Sequence, residues 1–259
     1  MGFDRERFDE IKNAFTLDDN ALRKIADDFR ADMRAGLAGE KSATLRMLRS
    51  YADLPSGKER GSFLALDFGG TNVRALRILL KGDGTYEVLR KVAKPLTVAG
   101  VYDYVSADAT AEDMFDFLAA IIDEAIAGDR KTKYLLGHTF SFPSQQTNLY
   151  NAKLIVWTKE FATRGVEGKV VNDLLKEALV RRGMTNVTPV AVINDTVAVL
   201  LAAAYKHEHT YIGSIYATGQ NTCYYEEFAD GSEQPTVINM ESGGFRKLLP
   251  NRFDAALDE

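Results

Sequence analysis

A single cysteine, Cys223, rules out an intrachain disulfide and fits a reducing compartment. Three histidines, His138 in a strand-like run and His207 and His209 two apart on a connection, leave no side-chain set with metal-ligand spacing, so no protein-held metal site is expected. The chain also lacks a basic block. With 32 basic against 37 acidic residues and a formal net charge of −5, it has no stripe of the kind a nucleic-acid footprint needs, and nucleic acid is not an expected partner. No apolar h-region follows the charged start Met1-Gly-Phe-Asp-Arg5, and no run is long enough to span a bilayer. Neither a signal peptide nor a membrane contact is expected, and cytoplasm is the default compartment. Missing too are Gly-x-x-x-x-Gly-Lys-Ser/Thr, Gly-x-Ser-x-Gly and His-Glu-x-x-His, which excludes P-loop phosphate binding, the nucleophile elbow and zinc-protease chemistry. What is there is 46% hydrophobic content over 259 residues, enough for a sizeable core in one large or two modest domains.

The chain is organised around Ser62 to Ile78. Two apolar runs, Phe63 to Phe68 and Val73 to Leu80, flank Gly69-Gly70, so a hairpin is expected, with the glycines supplying positive φ at its tip. Asp67, Thr71, Asn72 and Arg74 surround that tip. Backbone N–H groups at Gly69 and Gly70 can approach phosphate oxygens, and Asp67 can face a cation through water. Taken alone, a Gly-Gly turn between strands is far more often a plain hairpin, and a functional reading must come from elsewhere in the chain.

Periodicity organises the rest. Ala21, Leu22, Ile25, Phe29, Met33 and Leu37 make one stripe of a helix from Asp18 to Leu37, ended by Gly39. Ala52 to Gly61 reads as a loop, and Tyr86 to Val92 as a third strand. Thr110-Ala-Glu-Asp113 opens a helix as a capping box, closed by Gly128. Strands follow at Tyr134 to Phe142 and Lys153 to Trp157, a helix at Val170 to Arg182 stopped by Gly183, a strand at Val190 to Ile193, and a helix at Thr196 to Tyr205. Tyr211 to Tyr216, Asn221 to Phe228 and Val237 to Met240 complete the strands, with turns at Thr218-Gly219 and Asp230-Gly231, before a polar, helix-like ending. Alternating strands and helices make the class α/β.

Polar residues recur where apolar strands end, the usual place for ligands in α/β proteins. They are Ser141, Thr158 with Lys159, Asn194 with Asp195, Asn221 and Glu241. Each also has a bland reading: Asn194, Asp195 and Thr196 suit a helix cap, Ser141 a turn hydroxyl before Pro143, Lys159 a solvated strand end, Glu241 a loop carboxylate. Together they suit a sugar, whose hydroxyls both donate and accept. Asp195, set among Val192, Ile193, Val197 and Leu200, is the candidate general base for a hydroxyl attacking a phosphate.

The segment Leu54 to Arg74 resembles the first phosphate segment of eukaryotic-type hexokinases, in the actin-like sugar-kinase superfamily. Phe140-Ser-Phe-Pro143, Trp157-Thr-Lys-Glu-Phe161, Gly165-Val-Glu-Gly-Lys169, Ile193-Asn-Asp-Thr196 and Asn239-Met-Glu241 follow in family order. The resemblance runs from about Leu45 to Glu259. It implies an actin-like ATPase (ribonuclease H-like) α/β fold with a small domain at 61–192, the first part of a larger one at 193–259, and an N-terminal helical segment at 1–60 packing on it. It further implies glycolytic, ATP- and Mg²⁺-dependent phosphorylation of a hexose, glucose foremost, at its 6-hydroxyl. Ser141, Thr158, Lys159, Asn194, Asp195, Asn221 and Glu241 would contact the sugar, with Asp195 and Lys159 catalytic. Asp67, Gly69, Gly70, Thr71, Asn72, Arg74, Thr218 and Gly219 would serve phosphate and Mg²⁺. A non-catalytic sugar-binding or interaction module is the alternative.

The chain departs from the family in two ways. Ala217-Thr-Gly-Gln-Asn221 replaces the usual Gly-Thr-Gly-Thr-Asn, adding a methyl where backbone approaches phosphate; Ser144 stands where cysteine is common, and Ser242-Gly243 replaces Trp-Gly. Family members also continue further, so the helix after Asp195 and its neighbouring strands should expose apolar surface. Self-association or a partner chain is expected to cover it.

Overall fold

The computed structural model describes residues 4–217, 219–228, 233–248 and 250–258. In chain order the elements begin with α1 (Arg5–Ala14), α2 (Asp19–Leu37), β1 (Leu48–Arg49), β2 (Arg60–Phe68), β3 (Asn72–Lys81), β4 (Tyr86–Pro95), β5 (Thr97–Val98) and β6 (Tyr102–Asp103). Then come α3 (Ala111–Ala125), β7 (Tyr134–Phe140), β8 (Ser144–Gln145), β9 (Lys153–Leu154), α4 (Val171–Arg181), β10 (Val187–Ile193) and α5 (Asp195–Lys206). The last are β11 (Ile212–Tyr216), β12 (Gln220–Glu226), β13 (Thr236–Asn239), a 3-10 turn at Ser242–Gly244, and α6 (Arg252–Asp258). The chain divides into two compact units, 1–47 with 240–259 and 48–239.

In the first unit α2 starts where its sequence says: the Asp18 carboxylate accepts from Ala21 N at 2.7 Å, and Gly39 follows the helix at φ +73°. Asp32 is fully buried on α2 and accepts from Thr44 Oγ1 (2.6 Å), Leu45 N (2.9 Å) and Lys247 Nζ (2.9 Å). Burial pushes its carboxyl up, but the bonds from Thr44, Lys247 and Leu45 outweigh that and hold it below its ordinary value. Helix α1 has no counterpart among the sequence expectations. Its apolar residues Phe8 and Ile11 do recur at helical spacing, and Asp4 caps it through Arg7 N at 3.0 Å.

The second unit holds two main sheets. The larger has the order β10-β7-β2-β3-β4, with β10, β7 and β2 parallel and β2, β3 and β4 antiparallel. Helices α3 and α4 cover one face, burying Phe115, Leu118, Ile122, Leu175 and Leu179 against Leu64, Leu66, Leu136 and Val192. The Thr110–Asp113 capping box forms as read, both ways. Register places Phe63, Ala65, Ile78, Gly137 and Ala191 on the other face, where a cavity of about 440 Å³ opens between them and Ala198 of α5. The smaller sheet has the order β1-β13-β12-β11 and packs on α5 through Val197, Leu200, Cys223 and Val237.

Most expected elements stand within a residue or two, and the exceptions have causes. The expected strand from Lys153 to Trp157 is only β9, Lys153–Leu154, because the chain then leaves the sheet to seat Trp157, whose Nε1 donates to Thr163 O at 2.8 Å. Strand β10 begins at Val187 rather than Val190. It accommodates Pro189 because it is an edge strand whose register shifts between Pro189 and Ala191. The turn expected at Asp230-Gly231 lies outside the described residues. Among the described residues, no helix is long and apolar enough to cross a membrane.

Candidate functional site

Three parallel strands bring their carboxyl ends abreast. Asp67 of β2 pairs with Thr139 of β7, and Thr139 with Ile193 of β10, so the residues that follow, Gly69-Gly70, Ser141 and Asn194-Asp195, leave the sheet on one side. That is where an α/β sheet leaves room for a ligand. Lys159 joins two of these ends: its Nζ donates to Ser141 O at 2.9 Å, its ammonium lies 5.2 Å from the Phe142 ring centroid, and a Cβ on Gly70 would meet its Cδ at 3.2 Å. The segment carrying it is strained, with Lys159 at φ +57° and Glu160 at φ +67°. An aromatic cluster of Phe68, Phe140, Phe142, Trp157 and Phe161 holds that turn from beneath. Thr158 is exposed beside it.

The glycine turn is built differently from the sequence expectation. Neither Gly69 nor Gly70 sits at positive φ. What their positions require is space, since a Cβ on Gly69 would lie 3.2 Å from Asn72 O and one on Gly70 would press on Lys159. Gly69 N donates to Asn72 O at 3.2 Å, and Thr71 O accepts from Leu96 N at 2.9 Å. The Asp67 carboxylate is engaged on both oxygens, Oδ2 by Arg74 Nη1 at 2.7 Å and Oδ1 by Thr139 Oγ1 at 2.8 Å. Arg74 therefore turns to its cross-strand partner.

At the amino end of α5, Asn194 is the N-cap, its Oδ1 accepting from Thr196 N at 2.9 Å, so the capping reading of this residue holds. Asp195 Oδ1 accepts from the same N–H at 2.8 Å, which orients a half-buried carboxylate. Asn221 Nδ2 reaches Asn194 Oδ1 at 3.5 Å and Asn239 Oδ1 at 2.8 Å, tying the base of the β11–β12 hairpin to the helix start. Gly219 has open space where a Cβ would stand, and Ala217 N donates to Gly219 O at 2.8 Å. Gln220 Nε2 bonds Thr222 Oγ1 at 3.0 Å, along its own strand. Thr218 lies outside the described residues. Glu241, at φ +53° before the 3-10 turn, belongs to the unit of 1–47 and 240–259.

Two groups behind the site stay neutral. His138, on β7, is buried; burial pushes its pKa down to about 4 although Nε2 bonds Asn172 Oδ1 at 3.0 Å, while Asn172 Nδ2 donates to Tyr150 O at 2.9 Å. Burial, with the Asp195 carboxylate nearby, pushes the Cys223 thiol up to about 11, and its Sγ donates to Thr196 O at 3.3 Å. This cysteine is an inert packing group.

Sequence reasoning gave no positioning role to Thr139, Thr196 and Asn239, which hold Asp67, Asp195 and Asn221. Thr139 had one signal: a hydroxyl in an otherwise apolar strand, two residues before Ser141. Asn239 had another, in its place between Ile238 and Met240.

Comparison with known proteins bears on what this arrangement is for. One family model described as Hexokinase matches residues 7–205, and a second of the same description matches 211–259. Hexokinase-2 of Equus caballus is 36% identical over 252 residues, covering 93% of this chain and 27% of that protein. The hexokinase-like 1 protein of Arabidopsis thaliana is 36% identical over 255 residues, covering 92% and 50%. Hexokinase-1 of Schizosaccharomyces pombe is 31% identical over 274 residues, covering 98% and 54%. Among solved structures, a hexokinase crystal structure superposes with a TM-score of 0.83 at 35% identity over 95% of this chain and 58% of its own. The Schistosoma mansoni hexokinase complexed with glucose superposes with a TM-score of 0.73 at 35% identity, over 91% and 54%. The chain thus spans about half the length, or less, of the curated relatives it matches.

Proposed function

The chain belongs to the hexokinase family and has its actin-like ATPase fold, and we propose that it phosphorylates a hexose, glucose foremost, at the 6-hydroxyl, with ATP as donor. The observation that carries this reading is the register of β2, β7 and β10, which sets the glycine turn, Ser141 and Asp195 side by side with Lys159 between the first two. In this reading 61–192 form the small domain, 193–259 begin the large one, and the N-terminal segment 1–60 packs on the latter.

Ser141, Thr158, Lys159, Asn194, Asn221 and Glu241 bind the sugar hydroxyls, and Asp195 takes the proton of the attacking 6-oxygen. The bond from Thr196 N holds that carboxylate in one orientation, so little reorganisation accompanies proton transfer. Lys159 is the second catalytic group, its ammonium balancing negative charge on the transferring phosphoryl group. Gly69, Gly70, Thr71 and Asn72, with Thr218 and Gly219, hold the donor's phosphates through backbone and side-chain donors. Mg²⁺ would neutralise phosphate charge; with both oxygens of Asp67 already bonded to Arg74 and Thr139, the donor set fits a hydrated ion contacted through water.

The short span favours a second reading for the isolated chain, a sugar-binding module without turnover. A coupled assay for hexose 6-phosphate separates the two. Turnover by the parent, falling by about 10²–10⁴-fold in Asp195→Ala, is the expected result. A folded parent with no turnover overturns the kinase reading for this chain, and calorimetric glucose binding in that case establishes the second.

A further inference from the structure

The glycine turn and the turn carrying Lys159 meet where Gly70 packs on the Lys159 side chain. Behind that contact a run of hydrogen bonds joins them a second time, through the segment 96–104. Leu96 N donates to Thr71 O at 2.9 Å and Tyr104 N to Leu96 O at 3.1 Å. The Thr163 hydroxyl then donates to Tyr104 O at 2.6 Å, and Trp157 Nε1 to Thr163 O at 2.8 Å. Every link has backbone at one end or both. The path therefore depends on two side chains, Thr163 and Trp157.

Thr163 is the node of that path. It is buried, and its hydroxyl and carbonyl reach in different directions, one to the 96–104 segment and the other to Trp157. Trp157 in turn fixes the Lys159 turn at both of its nitrogens, because its backbone N donates to Glu167 Oε1 at 2.9 Å. Phe161 N closes the turn onto Thr158 O at 3.2 Å. Positive φ at Lys159 and Glu160 persists only where such surroundings enforce it. Docking of the segment itself does not need the hydroxyl. Ala162 N donates to Val105 O at 2.8 Å and Arg164 N to Ala109 O at 3.0 Å, so the chain on either side of Thr163 is paired through its backbone. What the hydroxyl adds is the link onward to Leu96 and Thr71.

We propose that Thr163 is a positioning residue, which ties the Lys159 turn to the glycine turn so that a ligand held at one steadies the other. It acts through Trp157 and Tyr104 rather than on the substrate. A contiguous chain of hydrogen bonds between ordered segments is the physical means by which two sites share free energy. A sugar that holds Lys159 holds Trp157, and with it the bonds from Thr163 to Tyr104 and from Leu96 to Thr71. The glycine turn then has less freedom left to lose when phosphate arrives, which favours the second ligand without any new contact. That assignment of sugar to one turn and phosphate to the other rests on the hexose-kinase reading above; the tether itself does not.

Amide exchange, read together with the emission of Trp157, the single tryptophan of the chain, tests this on the parent, Thr163→Val and Thr163→Ser, each with and without glucose. Without ligand, Thr163→Val should speed exchange at Leu96 N and Tyr104 N by about 3- to 10-fold, as expected for one buried hydrogen bond, and should shift the Trp157 emission to the red. Thr163→Ser keeps the donor and should return both to the parent values. With glucose, exchange at 158–161 should slow in the parent and in Thr163→Val, but exchange at Leu96 N should slow in the parent alone. Unchanged exchange at Leu96 and Tyr104 in a folded Thr163→Val overturns the proposal. So does a Thr163→Ser that behaves like Thr163→Val, because the effect then comes from the methyl group. Should Thr163→Val fail to fold, Trp157→Phe breaks the same path at its other end and is expected to speed exchange at Leu96 alike; exchange there at the parent rate overturns the tether. A parent that glucose leaves unchanged at 158–161 overturns the hexose reading instead, and the ligand-free comparison still decides Thr163.

Discussion

In the five-stranded sheet, α3 and α4 pack on one face with fully enclosed side chains such as Phe115, Leu118 and Ile122. In the four-stranded sheet, among the described residues, α5 supplies the helical cover, and the buried set is Ala52, Val197, Leu200, Cys223 and Val237, with Leu201, Ile193 and Tyr225 only partly covered. The strands differ little in apolar content, 25 of 43 residues in the larger sheet and 9 of 18 in the smaller. What differs is the number of helices that reach each sheet, so strand composition alone does not measure how much of a core a sheet obtains.

The largest expected effect tests that difference directly. Leu118→Ala in α3 should cost about 3–5 kcal/mol, because the cavity is walled on every side, whereas Leu200→Ala in α5 should cost about 2–3 kcal/mol, since partly exposed neighbours can settle into the space. Urea unfolding of the two variants measures this, and equal losses would erase the distinction between the cores.

Acid should separate the sheets next. His138 titrates at about 4 in the folded chain against its ordinary 6.5, so the unfolded chain binds the proton first and stability falls as pH drops from 6.5 to 4. At 1.36 kcal/mol per unit the loss approaches about 3 kcal/mol. Among the described residues the small-sheet core offers no such group, since Cys223 stays protonated throughout. Amide exchange across this window should therefore quicken in β7 and β2 before β12 and β13. Uniform quickening, or the same slope in His138→Gln, would remove His138 as the cause.

The smallest effect sharpens the contrast between two glycines. Gly213→Ala drives a methyl into Leu200 Cβ at 2.8 Å and its backbone N at 3.0 Å and should cost about 1–3 kcal/mol. Gly137→Ala meets nothing nearer than Ala191 Cβ at 3.8 Å and should be neutral or stabilise by about 0.4–1 kcal/mol through the unfolded chain. Thermal melts of both decide it, and a destabilised Gly137→Ala would mean that the open face of the large sheet is closer packed than its cavity implies.

Much of this was legible beforehand where the signal was local. The Thr110–Asp113 box, the Asp18 cap, and the stops at Gly128 and Gly183 depend on residues a few positions apart, and each stands where it was read. The expected strand to Trp157 failed because an apolar run serves equally as a strand or as a loop pinned by its side chains, and the bond from Trp157 to Thr163 selects the second. At the candidate site, the polar residues at strand ends could be named, but their supports could not. Thr139 is 72 positions from the Asp67 it holds, and Asn239 is 18 from Asn221.

By itself, then, the sequence determined the α/β class, the family, the helix limits and the identities of the polar groups, because capping, periodicity and motif order are short-range or ordered along the chain. Only the tertiary structure decided which strands lie side by side, that Gly69 and Gly70 are required for space rather than for positive φ, and that Arg74 turns to Asp67. Each of those depends on contacts between segments far apart in the chain, and a one-dimensional pattern carries no record of which distant segments meet.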